Sequence, residues 1–295
     1  MIPLSIIKPI ETALYEISGK EDRILSCVNV VGGSINSACR IEWADAFYFL
    51  KWNSASKFPK MFEYEAIGLN QLKETQSITI PKVYKTGTSQ TDAFILMEYI
   101  EPGKPSNTFW EQFGKQLADL HRNTNDLFGN SHDNYIGSLP QQNSKTDNWA
   151  DFFVSMRLMP FVKKAIDNHI LTTVHLRQFD SLYTKIPLLF PTEKPALLHG
   201  DLWSGNFLCN QTGAPVLIDP AVYYGHREMD IAMSKLFGGF SETFYSSYNQ
   251  YFSMEKGWEK RVDLCNLYPL LVHLNLFGSS YLYDIERILK EYVSC

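Results

Sequence analysis

The run His199-Gly200-Asp201-Leu202-Trp203-Ser204-Gly205-Asn206, followed by Ile218-Asp219-Pro220, constrains this chain more than any other stretch. Between Asn206 and Asp219 lie two short apolar segments with Thr212-Gly213 between them. Thr-Gly between apolar segments is a turn signal, so the stretch predicts a hairpin-like loop, with Val216 to Asp219 as its second strand. An Asp, an Asn five residues on and an Asp thirteen beyond that can then serve one chemistry. One carboxylate accepts the proton of an attacking hydroxyl, and an amide with a second carboxylate holds Mg²⁺ on the phosphates of ATP. A bare His-Gly-Asp triplet is common in ordinary turns; the three positions together point to phosphoryl transfer. Asp201 is the candidate base, Asn206 and Asp219 are the candidate metal ligands, and His199 reads as scaffold.

The order matches the protein-kinase motif His-Arg-Asp-x-x-x-x-Asn followed by Asp-Phe-Gly, with Gly200 in place of the Arg and Pro220 in place of the Phe. Asp230 follows Asp219 by eleven residues, too few for the long activation segment of a protein kinase, and no Ala-Pro-Glu follows. The acceptor is therefore expected to be a small molecule or small adduct. Asp230 reads as a helix cap or a brace for the loop. Because it precedes proline, Asp219 is expected in an extended conformation at a strand end.

Upstream, Ile7, Ile10, Leu14 and Ile17 recur at helical spacing. Strands are expected over 24–31, 37–43, 47–52 and 93–99, with another near Pro81 and Gly87, and a helix over 61–74. From about Thr108 the pattern is mainly helical, over 108–122, 147–169, 173–186 and from 228 onward. Pro187, Pro191 and Pro195 are expected to break the chain before the motif. The expected fold class is α+β: a small antiparallel-sheet lobe over residues 1–100, a mainly helical lobe over 101–295, and a hinge at about 98–104.

Three further groups carry chemistry in this frame. Lys51, mid-strand between Leu50 and Trp52, needs a partner if buried; Glu65 is the first candidate and Glu63 the second, while a solvated edge-strand lysine is the plain alternative. Gly32-Gly33-Ser34 lets backbone amides approach phosphates, although Gly-Gly between strands is usually only a turn. Glu98, Tyr99 and Ile100, leaving the last strand of the first lobe, are candidates for adenine. Trp203, inside the loop, is suited to stacking on a sugar or covering an amine, and His132, Asp133 and His226 are further candidate substrate contacts.

The 295 residues carry a net charge of −5, 27 basic against 32 acidic, without a basic block. This disfavours binding nucleic acid through bulk electrostatics. Five widely spaced cysteines with no Cys-x-x-Cys pair disfavour a disulfide scaffold or zinc site. No leader pattern or membrane-length apolar stretch is read, and a cytoplasmic protein is expected, with a monomer compatible and the oligomeric state open.

These residues, with Met61-Phe62-Glu63-Tyr64-Glu65-Ala66, His132-Asp133-Asn134-Tyr135-Ile136-Gly137 and Asp219-Pro220-Ala221-Val222-Tyr223-Tyr224-Gly225-His226-Arg227-Glu228, resemble the fructosamine kinase (ketosamine-3-kinase) family nearly end to end. The resemblance implies a two-lobed fold like that of protein kinases and aminoglycoside phosphotransferases. It implies ATP and Mg²⁺ as cofactors and phosphorylation of a ketosamine, a glycated amine or glycated protein lysine, at its third sugar carbon. By that likeness Asp201 is the base, Lys51 and Glu65 pair, and Trp203 contacts the sugar. Some relatives carry a cysteine where this chain has Ser34, so a redox switch there is not carried over. The shared core also fits another small-molecule kinase of the aminoglycoside or choline type, or a nucleotide-binding module without catalysis.

Overall fold

The computed structural model describes residues 1–30 and 35–293. The chain divides into two compact units, one of Met1–Phe109 with Gly205–Pro220, the other of Trp110–Ser204 with Ala221 onward. The boundary thus lies beyond the expected residue 100, and the first unit also takes in the hairpin that follows Ser204. Local bonds explain this. Gly103 N donates to Cys209 O at 2.9 Å, and Leu217 N donates to Thr79 O at 3.1 Å. A Cβ at Gly103 would lie 2.0 Å from Asn210 O, so only glycine permits this approach.

The first unit is built on an antiparallel sheet of β1 (Ser26–Asn29), β2 (Ser37–Trp43), β3 (Ala46–Ser54), β4 (Val83–Thr88) and β5 (Asp92–Glu98), in the order β1-β2-β3-β5-β4. Side chains alternate across a strand. Leu50 and Trp52 therefore join Cys39, Ile41 and Trp43 in the core formed with α1 (Leu4–Ser18), while Lys51 points to the other face. Helix α1 buries Ile6, Ile10, Ala13 and Leu14, a stripe rotated from the expected one, since Ile17 stays 37% exposed. Each buried Ile or Leu contributes about 1.5–3 kcal/mol. Helix α2 (Met61–Glu74) carries Glu65, and the described unit closes with the hairpin β9 (Phe207–Cys209) and β10 (Pro215–Leu217).

The second unit is mainly helical. It contains most of α3 (Phe109–His121), then the hairpin β6 (Asn134–Ile136) and β7 (Leu139–Gln141). The expected helix over 147–169 is α4 (Trp149–Phe152), a π-helical segment Phe153–Leu158 and α5 (Met159–Asp167). Helix α6 (Thr173–Leu189) runs through Pro187. The expected break there is corrected: proline in the last turn forfeits one backbone bond close to a helix end. Strand β8 (Ala196–Leu198) pairs with β11 (Tyr223–Gly225). Helices α7 (Glu228–Leu236), α8 (Glu242–Tyr251), α9 (Trp258–Phe277) and α10 (Leu282–Val293) follow. A core centred on Phe152, Phe153, Phe179, Tyr223, Leu271 and Ile288 holds the unit together.

Candidate active site

In the first unit, Lys51 Nζ donates to Glu65 Oε1 and to Asp219 Oδ1, both at 2.8 Å. Lys51 and Glu65 are almost fully buried, whereas the Asp219 side chain is 42% exposed. Burial pulls the Lys51 pKa down, but the two carboxylates outweigh it and hold the ammonium above its ordinary range. Burial pushes the Glu65 carboxyl up, against the pull of Lys51. Glu63, the alternative partner, is exposed on the outer side of α2.

Asp219 departs from expectation. Its φ is +53°, in the left-handed region, rather than extended. Asp tolerates that region because its short side chain bonds locally, and here the carboxylate is tied to Lys51. Such a residue stores strain. Asn206 is buried at the start of the hairpin, and its carbonyl accepts Ile218 N at 3.1 Å, which brings the two ends together as the Thr212-Gly213 turn predicts.

Mg²⁺ in phosphoryl-transfer sites is held by one or two carboxylates together with substrate phosphates. Asp219 suits this role: Lys51 takes Oδ1, and the half-exposed carboxylate keeps Oδ2 for a cation. Among the described residues no group of three or more His, Cys, Asp or Glu could hold a metal ion by itself.

At the end of β5 the Glu98 amide donates to Lys82 O at 2.8 Å, so it is engaged within the sheet and is not available to donate to adenine. Tyr99 and Ile100 lie just past the strand. Gly32, Gly33 and Ser34 lie outside the described residues.

In the second unit the loop bearing Asp201 is braced from beneath. Asp230 accepts His199 N at 2.7 Å through Oδ2 and Gly200 N at 2.9 Å through Oδ1. It also meets His121 Nε2 at 3.2 Å, and His121 Nδ1 meets Tyr248 Oη at 2.8 Å. All three of Asp230, His121 and Tyr248 are buried. Gly200 has φ +82°, and a Cβ on it would lie 2.1 Å from Ala221 O, which explains why no Arg can stand there. Asp201 itself is partly exposed.

Trp203 is partly buried, its ring edge-on to Phe237 at 6.1 Å between centroids, and Phe237 lies 4.8 Å from His273. His132 is partly exposed and Asp133 exposed, on the turn before β6. Burial pushes the His132 pKa down against the pull of Asp133. His226 is a correction. It is 1% exposed, within ring-contact distance of Trp149 and Phe190, and 3.8 Å from Glu193. A side chain so enclosed touches core, not substrate, and burial pushes its pKa down to about 4. Sequence reasoning did not find His121 or the buried Arg157; neither sits in a motif that marks it.

Comparison with known proteins agrees with this geometry. The family model for fructosamine kinase matches residues 6–294. The chloroplastic protein-ribulosamine 3-kinase of Arabidopsis thaliana is 38% identical over 93% of this chain and 85% of its own. A protein of Enterococcus faecium named as a probable ketoamine kinase is 39% identical over 90% of this chain and 94% of its own. The crystal structure of a Thermobifida fusca protein described as a candidate fructosamine-3-kinase superposes with a TM-score of 0.86 at 31% identity, covering 97% of this chain and 99% of that one. An aminoglycoside phosphotransferase, solved with AMP-PNP and hygromycin B, shares the fold at a TM-score of 0.64 and 15% identity, over 95% and 98% of the two chains.

Proposed function

The chain belongs to the fructosamine kinase family, and from that membership and the two sets of polar residues we propose that it is an ATP-dependent kinase acting on the 3-hydroxyl of ketosamines. The observation that carries the reading is the Lys51–Glu65–Asp219 ion cluster on the nucleotide-side unit. A charged group of this kind has no packing value that apolar side chains would not supply better, and it is suited to gripping phosphates.

In this reading Asp201 accepts the proton of the attacking hydroxyl, with Asp230 holding its loop by two backbone amides. Lys51 binds the α- and β-phosphates and Glu65 orients it. Asn206 and Asp219 would hold Mg²⁺, which neutralises charge on the phosphates when bound. The amides of Gly32, Gly33 and Ser34 are proposed to cover the phosphates, and backbone groups of Glu98, Tyr99 and Ile100 to meet adenine, Glu98 through its carbonyl since its amide donates to Lys82 O. Trp203 is placed against the sugar, with His132 and Asp133 on the acceptor side.

The acceptor is a glycated amine, either free or as the side chain of a protein lysine. A phosphate on the third carbon lies beside the carbon bearing the carbonyl, so loss of a C1 proton to give the enol lets phosphate leave from the third carbon, and water then hydrolyses the resulting imine to release the amine without further catalysis. The described cysteines Cys27, Cys39, Cys209 and Cys265 are free thiols, which suits a reducing compartment, and the cytoplasm is the proposed location. No described helix is long and apolar enough to cross a membrane.

The deciding experiment is incubation with MgATP and a ribulosamine or fructosamine of lysine, followed by mass spectrometry for the phosphorylated sugar. Turnover only of aminoglycosides or simple amino alcohols would refute the substrate assignment. Asp201→Asn is expected to lower kcat by roughly 100- to 10,000-fold while MgATP still raises the melting temperature; retained kcat would remove Asp201 from the role of base.

A further inference from the structure

Arg157 is fully buried, yet no ion pair joins it to any described carboxylate. A guanidinium is charged at any physiological pH, and a buried charge without a counter-charge is costly. Its charge is met by dipoles and ring faces instead. Nη1 donates to Gln142 O and Nη2 to Asn143 Oδ1, both at 2.6 Å. The guanidinium carbon lies 3.9 Å from the ring centroid of Tyr223 and 4.6 Å from that of Phe152, within cation–π range. Nε remains without a bond. The residue also sits in the π-helical segment Phe153–Leu158, a backbone form concentrated at functional positions.

What this arrangement holds gives the reason to keep it. Asn143, fixed by Arg157, donates its side-chain amide to His132 O and its backbone amide to Asp133 Oδ1, at 3.1 and 2.8 Å. The same side-chain amide bonds Asn134 Oδ1, which also accepts from Gln141 Nε2 at 2.6 Å. Asn134 and Gln141 then donate to Val222 O and Ala221 O. Ala221 N in turn donates to His199 O at 2.9 Å, and its carbonyl is the atom that a Cβ at Gly200 would strike. One buried cation therefore underlies both the His132-Asp133 turn and the Ala221-Val222 segment before β11, of which Ala221 lies against His199-Gly200, next to Asp201. All of these residues belong to the second unit.

We propose that Arg157 is a positioning residue for the acceptor: through Asn143 and Tyr223 it sets the His132-Asp133 turn and the seat of the Asp201 loop, without touching substrate or nucleotide. Its kinetic consequence rests on the ketosamine kinase reading; its structural consequence does not. Lysine cannot replace the planar fork fully but keeps the charge and one donor direction. Methionine keeps length and volume without either.

The test compares wild type, Arg157→Lys and Arg157→Met by steady-state kinetics and by amide hydrogen exchange. Arg157→Met is expected to lose roughly 100-fold in kcat/KM for the ketosamine, with KM for ATP within about twofold of wild type, and Arg157→Lys is expected to recover part of that loss. Exchange is expected to accelerate at 130–134, 143 and 199–201 and to stay unchanged in β2 and β3. An Arg157→Met enzyme with unaltered acceptor kinetics, or one whose ATP and ketosamine parameters fall together, overturns the proposal. So does unaltered exchange at those amides, a readout that stands even if wild type turns over no ketosamine; that last result refutes the substrate reading separately.

Discussion

The Lys51 ammonium donates to Oδ1 of Asp219 at 2.8 Å, joining positions 168 residues apart in the chain. Two distant segments of the first unit are thereby pinned together, and the same ammonium pairs with Glu65. Replacing Lys51 by Met should leave Glu65 buried without a cation, a change that costs roughly 3 kcal/mol where a buried pair is broken. We expect a lower melting temperature, no further stabilisation by MgATP and a large fall in kcat/KM. Thermal unfolding with and without MgATP checks this; undiminished nucleotide stabilisation would contradict it.

Gly200 answers to geometry rather than chemistry. Gly200→Ala must place a Cβ 2.1 Å from Ala221 O at φ +82°. The left-handed strain alone costs about 1–3 kcal/mol, and relief of the clash must move Asp201 or Ala221. Gly200→Ala is expected to lose both stability and kcat, and Gly200→Arg, which restores the protein-kinase motif, to lose more. Kinetics and unfolding of the two variants, measured side by side, decide the point.

Asp230→Asn preserves shape but turns an acceptor into a donor. One of the amides of His199 and Gly200 would then face an NH₂ group, at a cost of about 1–3 kcal/mol for an unsatisfied buried donor. We expect kcat to fall with the KM for ATP nearly constant, because the groups proposed to bind the nucleotide belong to the other unit. A rise confined to the KM for ATP would show that Asp230 acts elsewhere.

His226 should impose a pH dependence on stability. Burial holds its pKa near 4, opposed by Glu193 and assisted by Arg227 and Arg261. The unfolded chain takes up a proton near pH 6.5, so the contribution is complete above that value and is lost as pH falls from about 6.5 to about 4, at most about 3 kcal/mol. His226→Asn is expected to flatten the unfolding free energy across that window. Equal slopes in urea titrations of the two proteins would exclude the effect.

How far the sequence reached depended on whether information was local. The spans of β2 and α2 follow from alternation and helical spacing at 37–43 and 61–74, and they match. The Thr212-Gly213 turn foretells the return of the chain towards Asn206. Other features arise only from packing. The π-helical segment interrupts a stretch that reads as one helix, since its periodicity differs little from that of its neighbours. The left-handed Asp219 defies the pre-proline preference because an ion pair from a distant strand holds it. His226 reads as a polar site residue and is core, since nothing in its neighbours announces the Trp149 and Phe190 rings around it.

Position 219 must meet two demands at once, a left-handed backbone and a negative charge. Asn meets the first and fails the second; Glu meets the second but lacks the short side chain that makes the first tolerable. Gly satisfies the backbone and leaves Lys51 without this carboxylate. Asn and Gly thus lose the charge and Glu loses the backbone, and none of the three keeps both. Because the pair with Lys51 holds the backbone through the charge, the two are fixed together at this position, and no single substitution can be used to probe one of them while leaving the other untouched.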